Sequence, residues 1–337
     1  MYNIDIDLNF KEGWIIEMTT DKANMLCILH ILEEYSDETH IISQKEINAK
    51  MEALYGRKAD RRTVYGAIEA LQEFGLDIST FKDNGEGYYL IDRKFSPAEI
   101  KLLIDAIYSC EYISPKQTKE LLDKLRSFLS VHERKNYNYT NIIAPDKKSP
   151  NPEVFLNIEI LDAAITEHKM VSFTYMDYDY DKKLKARRER PYIVSPYSLL
   201  CEGNHYYLVL IYQGQTTPSF YRVDMMKDIK ILDQKIEISK KDAKLDSIKK
   251  VVYAHTGELR SVTLHCDKGA LRYVIEEFGN EIMIKENPDG SFNATFTTAT
   301  EGLIYRALQY LQQVEVVSPK DVRDKIIEAI KSNKYGA

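Results

Sequence analysis

The sequence predicts a multidomain α+β protein in which a helical first half precedes a strand-rich second half. Apolar residues recur at helical spacing as far as residue 129, and runs of β-branched and aromatic residues begin at residue 170. Between them, the string APDKKSPNP at 144–152 holds three of the 10 prolines in the chain. Because proline-rich segments with little apolar content separate domains, we place the main boundary there.

The composition excludes several classes of protein. The 337 residues are 44% hydrophobic and 29% charged, which is typical of soluble globular domains and sufficient for more than one buried core. No apolar run approaches the ~18 residues that a membrane helix needs, so no membrane partner is expected. Residues 1–10 lack the basic and apolar regions of a secretory signal, and we therefore expect a cytoplasmic protein.

The cysteines, the histidines and the net charge argue against further kinds of site. Four cysteines lie far apart without a CxxC pair, so neither a disulfide framework nor a zinc site is expected. The 7 histidines show no metal-binding spacing and no nucleophile elbow is present, so we expect neither an enzyme nor a cofactor. A net charge of −6 requires that any nucleic-acid surface be local.

Three amphipathic helices are predicted at the start of the first half. The first spans 22–35; the second begins at a capping box formed by Ser43 and Glu46 and ends at Gly56; the third is capped by Asp60. Helical spacing assigns to their apolar faces Leu26, Leu29 and Leu32 with Ile28 and Ile31 beside them, then Ile47, Met51 and Leu54, and then Val64, Ile68 and Leu71.

Two short strands are predicted to follow these helices. The segment 76–91 contains the turn Asp83-Asn84-Gly85, which suits a tight connection between antiparallel strands. Three helices followed by a hairpin form a winged helix-turn-helix, which we assign to residues 1–92 together with an N-terminal arm.

Basic residues cluster where the second predicted helix turns into the third, and in a helix-turn-helix this stretch faces the DNA groove. Basic side chains and a helix N terminus hold phosphates, whereas Glu69 and Glu73 would repel them, so contact is expected in the first two turns. The residues predicted to bind double-stranded DNA are Arg57, Lys58, Arg61, Arg62, Thr63, Tyr65 and Lys82. The alternative interpretation is a solvated basic turn on a helical bundle.

Two further helices are predicted from repeated start signals. Ser96-Pro97 with Glu99, and Ser114-Pro115 with Gln117, each combine a cap, a proline at the first helical position and a capping-box partner. The second of these helices carries an apolar stripe of Leu121, Leu122, Leu125, Phe128 and Leu129. Such a stripe must pack on a neighbouring domain or on a second copy, so we interpret 93–150 as a helical linker with a possible role in a homodimer.

The second half is predicted to hold a small β-barrel followed by an α/β sandwich. A helix at 155–167 precedes strands at 170–175, 192–197, 205–212 and 219–223. Strands and helices then alternate, at 260–265, 268–278, 281–285, 292–297, 301–312, 314–317 and 319–330. We assign 151–237 to the barrel and 238–337 to a C-terminal extension.

A second basic cluster, 182–190, precedes a tyrosine-rich predicted strand. Six bases to one acid beside aromatic residues favour a phosphate-bearing or nucleic-acid ligand, although a charged hairpin tip with nothing bound is the alternative. Asp177, Asp179 and Asp181 alternate as in a calcium loop, but Lys182 and Arg188 stand where that loop needs glycine and glutamate. No metal site is therefore predicted.

Four segments in a fixed order resemble those of a known family. Tyr206-Tyr207-Leu208 resembles the hallmark Trp-Tyr-Leu, and the segments 194–197, 220–224 and 314–319 resemble its surroundings and the end of its chain. The sequence is thus similar to the WYL-domain transcriptional regulators of bacteria, which join a winged helix-turn-helix to an Sm-like or SH3-like barrel, the WYL domain, and a C-terminal extension, WCX. One departure is that Met225 stands where the family's segment ends in arginine.

The resemblance implies a ligand-responsive DNA-binding regulator, expected to be a homodimer, whose barrel senses a nucleic-acid or nucleotide-like ligand. Tyr206 and Tyr207 point to opposite faces of a strand, and we choose Tyr207 for the ligand side. The predicted ligand-binding residues are Arg188, Arg190, Ser195, Tyr197, His205, Tyr207 and Arg222. The alternative function is that of a single-stranded nucleic-acid-binding accessory protein acting through its barrel.

Overall fold

The computed structural model describes residues 22–135, 147–215, 218–236 and 259–334. These residues divide into two compact units, one reaching Ser109 and continuing from Pro115 to Lys147, the other formed by Cys110–Ser114 and the chain from Lys148 onwards. Across the described ranges, no helix is both long and apolar enough to cross a membrane. The predicted N-terminal arm, residues 144–146 of the 144–152 string and the start of the predicted extension lie outside the described residues.

The first unit is mainly helical. Its elements are α1 Lys22–Tyr35, α2 Gln44–Tyr55, α3 Arg61–Glu73, β1 Ile78–Ser79, α4 Phe81–Asn84, β2 Tyr89–Leu90, α5 Pro97–Ser109, α6 Pro115–Arg126 and α7 Val131–Arg134. The predicted capping box of α2 is present, with Ser43 and Glu46 bonded reciprocally, and Gly56 ends the helix with a φ of 62°. Asp60 caps α3 by accepting a hydrogen bond from the Thr63 N–H at 2.7 Å.

The core of this unit lies between α1, α2, α3 and the short sheet. Ile28, Ile31 and Leu32 are the fully buried residues of α1, whereas Leu26 is 41% exposed. Of the apolar residues predicted to pack from α1, Leu26 alone is exposed, because the i, i+3, i+4 set that begins at Ile28 faces the core. Leu54, at the last turn of α2, is also exposed.

The predicted tight turn between β1 and β2 is wrong. The four-residue helix α4 forms the connection, and its own capping box joins Thr80 and Asp83. The strands pair antiparallel, and Tyr88 adds two backbone hydrogen bonds with Ile42. Glycine is required at position 87 because a Cβ there would lie 2.3 Å from the Ile42 carbonyl oxygen.

The apolar stripe of α6 and the residues after it is covered within the chain. Leu122 and Leu129 are buried against Ile100 and Ile104 of α5. The stripe is therefore buried against α5 within the first unit, and its burial does not by itself require a second copy of the chain.

In the second unit, α8 packs against a curled antiparallel sheet. Its elements are α8 Val154–Thr166, β3 Lys169–Tyr178, β4 Leu184–Ala186, β5 Tyr192–Glu202, β6 His205–Tyr212, β7 Ser219–Arg222, a 3-10 turn Val223–Met225 and β8 Met226–Lys235. The strand order is β4-β3-β5-β6-β7, with β8 also paired to β3. Strands β4 and β8 are short or highly charged, so alternation in the sequence did not predict them.

The described end of the proline-rich string is built into the second unit. Asn151 is 2% exposed, and its side-chain amide donates to the carbonyl oxygens of Asp224 at 2.9 Å and Met226 at 3.0 Å. The prediction of a linker over 144–152 is therefore wrong for its last residues, because two buried backbone acceptors bind Asn151.

The C-terminal part of the second unit is a four-stranded antiparallel sheet covered by helices. Its elements are β9 Leu259–Cys266, α9 Leu271–Phe278, β10 Met283–Glu286, β11 Phe292–Ala299, α10 Thr300–Gln309, β12 Val314–Ser318 and α11 Lys320–Lys331, with strand order β10-β11-β9-β12. Val262 and Leu264 on one face of β9 pack against Val274, Leu303 and Val322 of the helices. Every helix and strand predicted here is present within a few residues.

Candidate functional site

The first turn of α3 presents two exposed arginines. Arg61 and Arg62 follow directly on Asp60, and both side chains are exposed to solvent. The hydrogen bond from the Thr63 backbone lowers the pKa of Asp60 below its ordinary value. The acid of this segment is thus engaged as a helix cap, while the basic side chains remain accessible.

Tyr65 and Lys82 extend this surface. The Arg61 guanidinium carbon lies 5.4 Å from the centre of the Tyr65 ring, and the ring contacts Tyr88 edge-on at 6.3 Å. The hydrogen bond from Arg61 lowers the pKa of Tyr65, and the charge of Lys82 acts in the same direction. We name Arg61, Arg62, Tyr65 and Lys82 the α3 basic face.

The other predicted DNA-binding residues have structural partners. Arg57 is half-buried, and its Nε–H donates to Asn24 Oδ1 at 2.6 Å. Lys58 is exposed and forms an ion pair with Glu52 at 3.2 Å. Thr63 is half-buried and contributes the backbone N–H of the α3 cap. These residues frame the α3 basic face, since Arg57 holds the start of the connection to α3 against α1.

A second group of polar residues lies on β6 and β7. Arg222 stands directly opposite Tyr207 in the antiparallel register. Its Nε and Nη2 donate to Asp224 Oδ1 at 3.1 Å and Oδ2 at 2.7 Å, and Asp224 is 1% exposed while Arg222 is 30% exposed. The buried carboxylate therefore fixes the guanidinium and leaves Nη1 for another acceptor.

Aromatic rings surround the Tyr207 side chain, which stands opposite Arg222. The Tyr207 ring lies 6.2 Å from His205 and 6.3 Å from Phe220, both edge-on. Within the described residues, His205 Nδ1 is buried and has no hydrogen-bond partner. Burial, and then the charge of Arg222, lower the pKa of His205, so the imidazole is neutral at pH 7. We name His205, Tyr207, Phe220, Arg222 and Asp224 the Arg222 group.

The structure does not bring the remaining predicted ligand residues to this group. Ser195 and Tyr197 are buried, and the Tyr197 ring packs with Ile211 and Ile236. Both lie in the packed interior of the sheet, where Ser195 stands opposite the fully buried Ile211 in the register of β5 and β6.

Arg188 and Arg190 are exposed but lie in a different environment. The Arg188 guanidinium is 3.5 Å from the centre of the Tyr192 ring, and it donates to the carbonyl oxygens of Arg190 and Pro191 at 2.9 and 3.0 Å. Arg188 therefore covers an aromatic cluster that sequence patterns missed; its members are Phe173, Tyr175, Tyr192, Tyr212 and Tyr221.

Sequence reasoning also missed Asp224 and Phe220 as members of the Arg222 group. The signal that could have found them is the spacing Phe-x-Arg-x-Asp at 220–224: Phe220 and Arg222 are alternate residues of β7 and share a face, and Asp224 follows two residues after Arg222. In the described part of the chain, no group of three or more histidine, cysteine or acidic residues could hold a metal ion.

Two family models match separate parts of the second half of the chain. The family model of the WYL domain matches residues 157–231, and that of the WCX domain matches 258–332. An uncharacterized HTH-type transcriptional regulator of Bacillus subtilis (strain 168), YobV, is 23% identical over 303 residues, which is 86% of this chain and 93% of that protein.

Two solved structures are also similar. The proteasome accessory factor B/C (PafBC) of Arthrobacter aurescens is 18% identical, with a TM-score of 0.25; the match covers 92% of this chain and 46% of PafBC, so the chain spans about half of its length. A CRISPR Cas-related protein is 13% identical, with a TM-score of 0.36, over 72% of this chain and 73% of that one. The chain thus contains a WYL domain and a WCX domain, and these domains together with the curated relative support a WYL-domain transcriptional regulator.

Proposed function

We propose that this protein binds double-stranded DNA through the α3 basic face and senses a nucleic-acid or nucleotide-like ligand at the Arg222 group. The observation that carries the proposal is the pair of exposed arginines, Arg61 and Arg62, on the first turn of α3. As the family resemblance implies, the protein acts as a homodimer with a winged helix-turn-helix and an Sm-like barrel.

The order of elements in the first unit supports the DNA-binding part of this proposal. In a winged helix-turn-helix, α3 is the recognition helix, and the N-terminal residues of such a helix reach base edges and phosphates. The connection between β1 and β2 is then the wing, and Lys82 on it adds a phosphate contact. The curated relative carries the description of an HTH-type regulator, which agrees with this assignment.

The Arg222 group offers the contacts that a nucleotide or a single strand needs. Arg222 presents donors to a phosphate, and Tyr207 and Phe220 offer ring faces to a base. The free His205 Nδ1 can bond to the ligand, and a buried polar atom without a partner in the ligand-free protein is otherwise costly.

Regulation then follows from differential binding. A ligand changes the spacing of the two recognition helices in the dimer only if it prefers one arrangement of the protein over the other. Half-sites on duplex DNA lie about one helical turn apart, so a small change in this spacing alters operator affinity.

The DNA-binding part is tested by fluorescence anisotropy with three probes: a duplex from the protein's own upstream region, a scrambled duplex and a single strand. We expect specific duplex binding that weakens about 100-fold in Arg61→Ala/Arg62→Ala. This loss corresponds to about 1 to 2 kcal/mol of binding free energy for each arginine. The variant Lys116→Ala/Lys119→Ala removes the same charge from α6 and is the matched control. Tight single-strand binding without duplex preference would instead support the accessory-protein function.

The ligand-sensing part is tested by adding a single-stranded oligonucleotide to the protein–duplex complex. Arg222→Ala should abolish the response while ligand-free duplex binding stays unchanged. Because this variant leaves Asp224 buried without its partner, Tyr207→Ala serves as a second variant that keeps the ion pair. Loss of both the response and ligand-free duplex binding in both variants would contradict this division of roles.

A further inference from the structure

A cavity of about 330 Å³ lies in the second unit, and none of its lining residues belongs to the α3 basic face or to the Arg222 group. Three lysines, Lys182, Lys183 and Lys227, line it together with Leu184 and the segment 150–152. Its size is at the lower end of small-molecule sites, and its charge is of one sign. We name it the lysine cavity.

The backbone at two of the three lysines is specialised. Lys182 has a φ of 62°, in the left-handed region that residues other than glycine rarely adopt, and it occupies the turn between β3 and β4. Lys227 pairs with Thr174 of β3 next to a register shift between Ser172 and Thr174. Such irregularities turn a side chain away from the regular direction of its strand.

The acids of this hairpin each have a partner within the hairpin. Asp177 pairs with Arg187 at 3.0 Å, and Asp179 forms an ion pair with Lys185. Asp181 accepts a hydrogen bond from the backbone N–H of Lys183 at 3.0 Å.

Within the described residues, none of the three lysines of the cavity forms an ion pair. Taking only the residues that the structure describes, no carboxylate oxygen lies within 4.0 Å of the Nζ atoms of Lys182, Lys183 or Lys227. A concave surface lined by one sign of charge concentrates ions of the opposite sign.

The opposite wall of the cavity is held in place. The Asn151 side chain bonds to the backbone at Asp224 and Met226, immediately before Lys227 in the chain. Pro150 and Pro152 flank it, and Leu184 adds an apolar contact surface. Because this wall is tied to the strand that carries Lys227, the cavity needs little reorganisation when a ligand enters.

We propose that the lysine cavity is a binding site for a phosphate-bearing anion with more than one negative charge, separate from the Arg222 group. Three lysines line the cavity and together carry the charge that complements a diphosphate or triphosphate, and Leu184 and the prolines suit the body of a nucleotide. The same chemistry exists in a free nucleoside polyphosphate and in adjacent phosphates of a nucleic-acid strand. This inference does not depend on the proposed function.

The test is isothermal titration calorimetry of the full chain at physiological salt with three probes: inorganic pyrophosphate, ATP and an unphosphorylated single-stranded oligonucleotide. The variant Lys182→Gln/Lys183→Gln/Lys227→Gln is compared with Lys230→Gln/Lys285→Gln/Lys320→Gln, which removes three exposed lysines outside the cavity. Thermal unfolding of both variants checks that they fold.

We expect the cavity variant to lose about tenfold in affinity per lysine, while the control keeps wild-type affinity. If the cavity variant loses affinity for pyrophosphate and ATP but not for the oligonucleotide, the ligand is a free polyphosphate. If it loses affinity for the oligonucleotide alone, the ligand is a nucleic-acid backbone. Equal affinities of the two variants for all three probes would overturn the proposal. So would pyrophosphate binding that disappears in Arg222→Ala, because the two sites would then not be separate.

Discussion

Two basic segments of the molecule, 57–62 before and at the start of α3 and 182–190 around β4, have similar compositions but different surroundings. In the first, the carboxylate of Asp60 caps a helix. In the second, Asp177 and Asp179 form ion pairs with the bases themselves. The charge that remains available to a ligand therefore differs between the segments.

The difference teaches that the number of bases in a segment does not measure its attraction for an anion. A capping carboxylate bonds to backbone N–H groups and leaves the neighbouring arginine side chains exposed. In the hairpin, the strand register places Asp177 opposite Lys185, and opposite charges across strands attract each other. Among the described residues of this segment, Lys182 and Lys183 at the tip, and Arg188 and Arg190 after β4, form no such ion pair.

The largest expected effect is on the salt dependence of duplex binding. Arg61→Ala/Arg62→Ala should reduce the slope of log affinity against log salt by about 2, since each phosphate contact releases about one counterion. Lys185→Ala/Arg187→Ala should change the slope by less than about 1, because these bases already have partners. Equal slopes in the two variants would show that the two segments do not differ as described.

The next effect concerns the cap. Asp60→Ala should lower the midpoint of thermal unfolding by a few degrees, because the Thr63 N–H loses its acceptor. Asp60→Ser keeps an acceptor and should unfold near the wild-type temperature, while its duplex affinity rises severalfold with the loss of a negative charge. Circular dichroism measures the unfolding midpoints. If Asp60→Ala and Asp60→Ser have the same midpoint, the carboxylate is not acting as a cap.

A smaller effect is expected from the hairpin acids. Asp177→Asn/Asp179→Asn should shift the unfolding midpoint by less than about 2 °C, because exposed ion pairs contribute little to stability. The variant frees Lys185 and Arg187, so single-strand affinity measured by anisotropy should rise and should fall again with added salt. An unchanged affinity would mean that the pairs persist only in the absence of a ligand.

The smallest expected effect is a difference in pKa between a helix-capping carboxylate, Asp60, and an ion-paired carboxylate, Asp179. The Thr63 backbone lowers the pKa of Asp60, and the hydrogen bond from Lys185 lowers that of Asp179. Each lowered pKa stabilises the fold above the ordinary aspartate pKa of about 4, and this stabilisation is lost as pH falls through the lowered value. NMR titration in 1 M salt should raise the pKa of Asp179 more than that of Asp60, since salt screens ion pairs. If salt raises the pKa of Asp60 as much as that of Asp179, the hydrogen bond of the helix cap is not the cause of the lowered pKa of Asp60.

Elements specified by near neighbours in the chain were predictable. The capping boxes at Ser43 and Ser96 are present as the sequence predicts, and helices begin beside them. The connection at α4 and the packing of Asn151 were not predictable. The first depends on a close approach to Ile42, and the second on carbonyl oxygens more than 70 residues away.

The candidate sites divide in the same way. Arg61, Arg62, His205, Tyr207 and Arg222 were identified from motifs, and the structure leaves them accessible or half-exposed. That Tyr197 is a core residue follows only from its packing with Ile211 and Ile236.

By itself, the sequence determined where helices begin and end, the order of elements and the family, because caps, periodicity and motifs depend on residues a few positions apart. Tertiary structure alone decided which charges remain free. The pairing of Arg222 with a buried Asp224, the unpartnered His205 Nδ1 and the lysine cavity all depend on strand register and burial. These bring together segments that are distant in the chain, and no local pattern encodes them.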